Sequence, residues 1–314
     1  MDASVVIPAR NAEATLPATL AALAHQVRPP SFEVLLVDDG SSDATVAVAR
    51  DAPVDVTVLR TRGGEGPAAA RNIGCAAARG DVLVFIDADC EPERDWLRRL
   101  LAATRDAELV QGMVLPPVGA AVQPFDRFLA VTTEYGLYQT ANLAIRRELF
   151  ERIGGFESII LPANGKELGE DAWLGWRAKR GGARSKFAAD AVVRHVVFRR
   201  DARGYLTEQS RVQWFPKMVR LMPELRGAFL YRRWFLSHRS ARFDLAVAAV
   251  ATAAVTRRAA PVVAALPYLE EVWKASGAWG HDRRLQVAPV HVAGDVVRLV
   301  ALVRGSARAR CPVL

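Results

Sequence analysis

The first 90 residues alternate between short aliphatic runs and longer amphipathic stretches. The runs at 4–7, 33–37, 55–59 and 82–86 are rich in Val, Ile and Leu and are bounded by turn residues. Continuous apolar runs of this length suit strands buried on both faces. Between them, 12–24, 44–50 and 67–78 read as helices. Ser41-Ser42-Asp43 offers an N-cap to the second, and Pro67 suits the first turn of the third. Strand–helix alternation predicts an α/β chain with a doubly wound, mostly parallel sheet.

Beyond residue 90 the pattern is mixed. A strand is expected at 108–115, a short helix at 148–153, and a helix at 171–180 ended by Gly181-Gly182. Past about 200 the reading turns helical. The expected organisation is a catalytic domain over 1–200, divided near residue 90 into a nucleotide half and an acceptor half, followed by a helical, basic and aromatic region over 201–314. No transmembrane helix is expected from 245–269, because Arg257-Arg258 divide its two apolar pieces and each falls short of the ~20 residues a span needs. Those pieces read as buried or interfacial helices.

Composition adds little to the picture, and charge placement adds more. An apolar fraction of 51% with 24% charged residues provides for a sizeable core. Cys75, Cys90 and Cys311 lie far apart, which argues against a disulfide framework or a structural zinc site. No signal peptide is read at the N-terminus, so a cytoplasmic location is expected. Over 194–240 stand eleven Lys or Arg against three acids, a surplus equal to the net charge of +8 of the whole chain. Trp214, Phe215, Trp234 and Phe235 are set among those arginines. Aromatics beside cations fit the headgroup region of an anionic membrane, here the inner face of the plasma membrane. A solvated basic face on packed helices is the alternative. No nucleic-acid module accompanies the patch, and no nucleic-acid partner is expected.

Ligands of a parallel α/β sheet bind beyond the carboxyl ends of its strands, and here every such end is polar. The four runs lead into Pro8-Ala9-Arg10-Asn11, Asp38-Asp39-Gly40-Ser41, Arg62-Gly63-Gly64-Glu65-Gly66 and Asp87-Ala88-Asp89. Asp87 and Asp89, two apart, would point to one side of an extended backbone and address one divalent cation. A solvated turn is the bland alternative. Asp38-Asp39 exceeds what a helix cap needs and would accept hydrogen bonds from a nucleobase or ribose. Neither the dinucleotide GxGxxG nor the P-loop pattern is present.

These segments, with Ala68-Ala69-Ala70-Arg71-Asn72-Ile73-Gly74, Gly154-Gly155-Phe156-Glu157 and Gly169-Glu170-Asp171-Ala172-Trp173-Leu174, carry a resemblance. Over about 3–197 the chain resembles the family 2 inverting glycosyltransferases, which have the GT-A fold. The resemblance implies a sugar transfer from a nucleotide diphosphate, UDP by default, to an acceptor hydroxyl on a glycan or lipid-linked carrier of the cell envelope. It implies that Pro8, Arg10, Asn11, Asp38, Asp39, Gly66, Arg71, Asp87 and Ala88 bind the nucleotide sugar, with Arg71 approaching the diphosphate. Asp89 and His195 would hold Mn²⁺ or Mg²⁺; read alone, His195, flanked by Val193 and Val196, is more often a packed strand histidine. Asp171 would be the catalytic base with Glu170 the competing candidate, and Trp173, Trp176 and Asn142 would face the acceptor. Gln209-Ser210-Arg211-Val212-Gln213-Trp214 departs from the Gln-x-x-Arg-Trp of polymer synthases, which favours single-sugar transfer. A nucleotidyltransferase and a non-catalytic sugar-nucleotide binder are the rival readings.

Overall fold

The computed structural model describes residues 1–162 and 167–314. They divide into two compact units, residues 1–120 with 128–197, and residues 121–127 with 198–314. The second unit thus takes in a short piece of chain from inside the expected catalytic domain.

The first unit runs β1 (Ala3–Ala9), α1 (Leu16–Ala24), β2 (Phe32–Asp38), α2 (Thr45–Arg50), β3 (Val56–Arg60), α3 (Pro67–Ala77), β4 (Val82–Phe85), β5 (Cys90–Pro92), α4 (Trp96–Ala103) and β6 (Leu109–Leu115). There follow β7 (Leu143–Arg146), α5 (Arg147–Arg152), α6 (Glu170–Arg180) and β8 (Ser185–His195). The strands form one eight-stranded sheet in the order β3-β2-β1-β4-β7-β6-β8-β5. β1 to β4 pair in parallel, as expected. From β4 onward the sheet departs from a mostly parallel one: β7 runs antiparallel to both β4 and β6, β6 and β8 are parallel, and β5 is antiparallel to β8.

The continuous apolar runs are explained by burial on both faces. Within β1, Val5 and Ile7 enter a core with Leu16, Leu20, Leu36 and Trp96. Val6, between them, enters the opposite core with Leu35, Leu83, Phe85 and Phe156. Each of these side chains is essentially removed from water, worth about 1.5–3 kcal/mol apiece for the large aliphatics. Gly80 allows the close approach of β4 to β1: a Cβ there would strike the Ala3 backbone and lie 2.5 Å from the Ser4 nitrogen.

The second unit contains α7 (Ala202–Gln209), α8 (Phe215–Leu221), α9 (Leu225–Ala228), α10 (His238–Thr256), α11 (Leu266–Gly277) and α12 (His281–Ala309). Its core joins Phe243 and Ala246 of α10 to Tyr268 and Val272 of α11, with Val292 and Leu299 of α12 against them. Asp295, 2% exposed, is held by Arg239 at 2.7 Å, Arg298 at 3.2 Å and the Tyr268 hydroxyl at 2.8 Å. Among the described residues one helix, within α12 and outside the 245–269 stretch, is long and apolar enough by length and composition to cross a membrane. The two pieces at 245–256 and 259–269 are helical, and most of their residues are exposed rather than buried.

Candidate active site

At the carboxyl end of the parallel strands, β1 and β2 finish level, with Ala9 opposite Asp38. The turns beyond them tie together. Asn11 takes a left-handed conformation, donates its backbone N–H to Ser41 Oγ at 3.0 Å and accepts from the Ser42 N–H at 2.8 Å. Of the expected caps, Asp43 accepts from the Thr45 N–H at 3.0 Å, while Ser41 is engaged with Asn11. Asp38 accepts from the Ser41 N–H at 3.0 Å.

Asp39 has a larger structural task than expected. One oxygen accepts from Thr61 Oγ1 at 2.6 Å and the Glu65 N–H at 2.9 Å, and the other accepts from the Gly66 N–H at 3.0 Å. It therefore pins the glycine-rich loop, and Arg10 stands 3.9 Å away with its side chain largely in solvent. Gly66 has φ 90° at the start of α3. The Glu167 carboxylate accepts from the Ala68 N–H in that first turn at 3.0 Å. Glu167, an isolated acid without a motif around it, was not selected from the sequence.

Arg71 is the hub of the site. Its guanidinium is buried, pairs with Asp87 at 3.1 Å and with Glu170 at 3.2 Å, and lies over the Phe156 ring at 5.6 Å from its centre. Two neighbouring carboxylates keep its proton bound still more firmly than usual, against the cost of burial. These pairs link α3 to the end of β4 and the start of α6. Asn72, one residue on, clamps Phe156 through both its backbone N–H and its carbonyl at 2.9 Å. Burial of Asp171, followed by the charge of Glu170, pushes its carboxyl well above the usual aspartate range, although an edge still meets solvent. The Ala172 N–H, which Asp171 accepts at 2.7 Å, and Arg71 oppose this without overcoming it.

Asp87 and Asp89 do not share one side of a strand. β4 ends at Phe85, and a turn carries Ala88 and Asp89, with the Cys90 N–H bonded to the Asp87 carbonyl at 3.2 Å. The carboxylates consequently separate, Asp87 to Arg71 and Asp89 to His195. Asp89 Oδ1 lies 3.6 Å from His195 Nε2. Cys90 opposes His195 across the β5–β8 pair, and the ligand atoms of Asp89, Cys90 and His195 all lie within 4.8 Å of one another. Burial and then the charge of Asp87 raise the Asp89 carboxyl, with His195 acting against them. A carboxylate oxygen and an imidazole nitrogen at this separation fit a cation bonded to each at ~2.0–2.2 Å. No sequence spacing marks Cys90, because the histidine opposite it comes from 105 residues away.

The three acceptor-side candidates divide. Trp173 donates to Glu157 at 2.8 Å and lies beneath Arg177 and Arg180. Trp176 donates to the Gly136 carbonyl at 2.9 Å and packs edge-on against Tyr138. Asn142 is fully buried, accepting from Trp96 Nε1 at 2.9 Å and donating to the Met113 and Ala191 carbonyls at 2.8 Å. That side chain holds β6, β8 and α4 together and faces no acceptor. Tyr135 was not selected; its phenol is raised by burial and, in the opposite sense to the Gln139 hydrogen bond, by the charge of Asp171.

The sequence profile of Glycosyl transferase family 2 matches residues 4–157. Glycosyltransferase AglE of Haloferax volcanii is 31% identical over 249 residues, 74% of this chain and 79% of the relative. The chain belongs to glycosyl transferase family 2. As a family 2 glycosyltransferase it moves a sugar from a nucleotide-sugar donor to an acceptor. Two further relatives of 31% identity are spanned over 42% of their length. Among solved structures, the mannosyltransferase PcManGT from Pyrobaculum calidifontis, in complex with GDP-Man and Mn²⁺, superposes with a TM-score of 0.60 at 19% identity, covering 95% of this chain and 86% of that one. S. aureus TarS 1–349 in complex with UDP-GlcNAc gives 0.53 at 17% identity, covering 99% and 93%. These likenesses establish a GT-A-like mixed α/β fold with C-terminal helices for the transferase.

Proposed function

We propose that this family 2 glycosyltransferase is an inverting, metal-assisted enzyme that uses a UDP-sugar and glycosylates a hydroxyl of a lipid-linked or cell-envelope glycan. The observation that carries the reading is the electrostatic linkage of Asp171 to Arg71, Glu170 and Asp87, with the Asp89–His195 pair next in line. Asp89 and His195 would hold Mn²⁺ or Mg²⁺, and a cation bound there would neutralise charge on the departing diphosphate.

Asp171 takes the proton of the acceptor hydroxyl while that oxygen attacks the anomeric carbon. The bond from that carbon to the diphosphate breaks, and its electron pair leaves with the nucleoside diphosphate. A base with a raised pKa suits this task, because the stronger base takes the hydroxyl proton with a larger driving force. Glu170, committed to Arg71, positions the base rather than replacing it. The leaving group departs as an anion and needs no second acid. Pro8, Arg10, Asn11 and the loop held by Asp39 frame the nucleotide, and Trp173 borders the acceptor. The uridine donor rests on the family resemblance and on the likeness to the UDP-GlcNAc complex.

Calorimetric titration with UDP, GDP and ADP, each with and without Mn²⁺, tests the donor side. Metal-dependent binding of UDP alone, lost in Asp89→Ala, is expected; preference for GDP would overturn the uridine assignment. Asp171→Asn should abolish transfer and leave UDP binding intact. Retained turnover in that variant would move the base elsewhere.

A further inference from the structure

The tail carries an exposed surface that neither the fold nor the transfer reaction uses. One side of α10 is buried through Phe243, Ala246 and Ala249, packed on α11. After Ala249, no residue is buried until Ala265. Leu245, Val247, Val250, Val255, Val263 and Leu266 are all exposed, Val255 by 85% and Val263 by 65%. Exposed apolar side chains in this number over one hairpin mark an interaction site rather than ordinary exposure of single residues.

The charges beside it identify the partner. Between Leu245 and Leu269 there is no acidic residue, and the only charged side chains are Arg257 and Arg258, both exposed. Trp273 of α11 is half-exposed, with the Arg284 guanidinium 4.2 Å from its ring centre. Glu270 and Glu271, the next residues of α11, are paired with Lys274 and Arg242, and the aliphatic side chains, the amphipathic indole and the two arginines of the turn match the acyl–headgroup boundary of an anionic bilayer. A second copy of the chain fits less well. A two-fold contact centred on the turn would bring both Arg257-Arg258 pairs together, with no carboxylate in the segment to separate them.

We propose that the α10–α11 hairpin lies on the surface of an anionic lipid bilayer, its apolar side in the acyl boundary and Arg257 and Arg258 among the headgroups. This relocates the lipid contact from the arginine-rich stretch at 198–240 to the hairpin. The assignment does not depend on the donor, metal or base roles, because neither the hairpin nor its test uses the transfer reaction.

The test is co-sedimentation of the full chain with vesicles of phosphatidylglycerol and phosphatidylcholine, or of phosphatidylcholine alone. The wild type should sediment with the anionic vesicles, and Val255→Asp/Val263→Asp should lower that partitioning at least ~10-fold. Donor hydrolysis without vesicles should be the same in both proteins. Arg257→Ala/Arg258→Ala should lose the preference for phosphatidylglycerol. A second readout uses no aspartate variant: brominated lipid in anionic vesicles should quench the wild type more than Trp273→Phe. Wild type remaining in the supernatant, or the aspartate variant binding equally well, would overturn the proposal. So would a wild-type dimer that the aspartate variant splits, which would assign the face to a second copy.

Discussion

Replacing Arg71 by Met removes the cation paired with Asp87 and Glu170, at 3.1 and 3.2 Å, while keeping most of the aliphatic volume. At an effective dielectric near 20, each contact is worth about 4 kcal/mol in gross Coulomb terms. Much of that is offset by the cost of burying the guanidinium, so the two do not sum. The measurable quantity is the loss of one partner from a buried pair, typically about 3–5 kcal/mol because the remaining charge is uncompensated. Asp87 retains some contact with water, which favours the lower end, and we expect about 3 kcal/mol at pH 8. Urea unfolding of wild type, Arg71→Met and Arg71→Lys measures this, and Lys should recover part of the loss. Arg71→Lys as unstable as Arg71→Met would mean that Arg71 acts by packing on Phe156 rather than by its charge. A variant as stable as wild type at pH 8 would refute the hub altogether.

The raised carboxyl of Asp171 must be ionised to act as base, so the acid limb of the kcat profile should lie above the ordinary range of about 4. Glu170→Gln should shift that limb down, since Glu170 is the largest charge raising it; an unmoved limb would assign the titration to another group. In the helical unit, burial and then Asp295 raise Asp244 from 3.8 to about 6, and one of its oxygens has no partner. A raised native carboxyl adds stability below pH 4 that is lost as pH rises to about 6. Fully enclosed, the difference would be about 3 kcal/mol, and partial exposure screens it to roughly half. Asp244→Asn should thus stabilise by about 1–1.5 kcal/mol at pH 8 and by nothing near pH 4, read from paired thermal melts. Gly80→Ala should cost at least about 2 kcal/mol in urea unfolding, because the obstructing atoms are backbone; a change below 0.5 would show that β1 and β4 separate easily.

The half of the fold visible in the sequence is the half with one local rule. β1 to β4 are continuous apolar runs separated by helices, and parallel pairing with two covered faces follows from that pattern. β5, β7 and β8 escaped because their pairing is non-local. β5 is three residues long and exists by pairing with β8, and β7 is four residues inserted between β4 and β6. Ser185–His195 mixes exposed and buried positions across a register shift in β6–β8, which erases a simple period. In the tail, breaks at Arg257-Arg258 stood out as interruptions of hydrophobicity, whereas α12 was hidden by Asp295 and Arg298. Those two charges satisfy each other and Arg239 inside the bundle, so they interrupt the composition without interrupting the helix.

For the candidate site, residue type was legible and commitment was not. A motif says that Asp39, Arg71 and Asn142 are polar where polarity is unusual; it does not say whether their hydrogen bonds face a ligand or the protein. Asp39 accepts three bonds from the loop that follows β3, Arg71 joins two acids from other elements, and Asn142 saturates its amide in the interior. Each of these uses partners 16 to 99 residues away, and only folding supplies them. Asp89 and Asp171 differ because burial raises both carboxyls, so each carries an ionisation cost that a bound cation or an acceptor proton would relieve. Perturbed groups of that kind are where a ligand has the most free energy to gain. The proposed chemistry would therefore rest on Asp89 and Asp171, with Asp39 and Arg71 one step back, holding the glycine-rich loop and the start of α6.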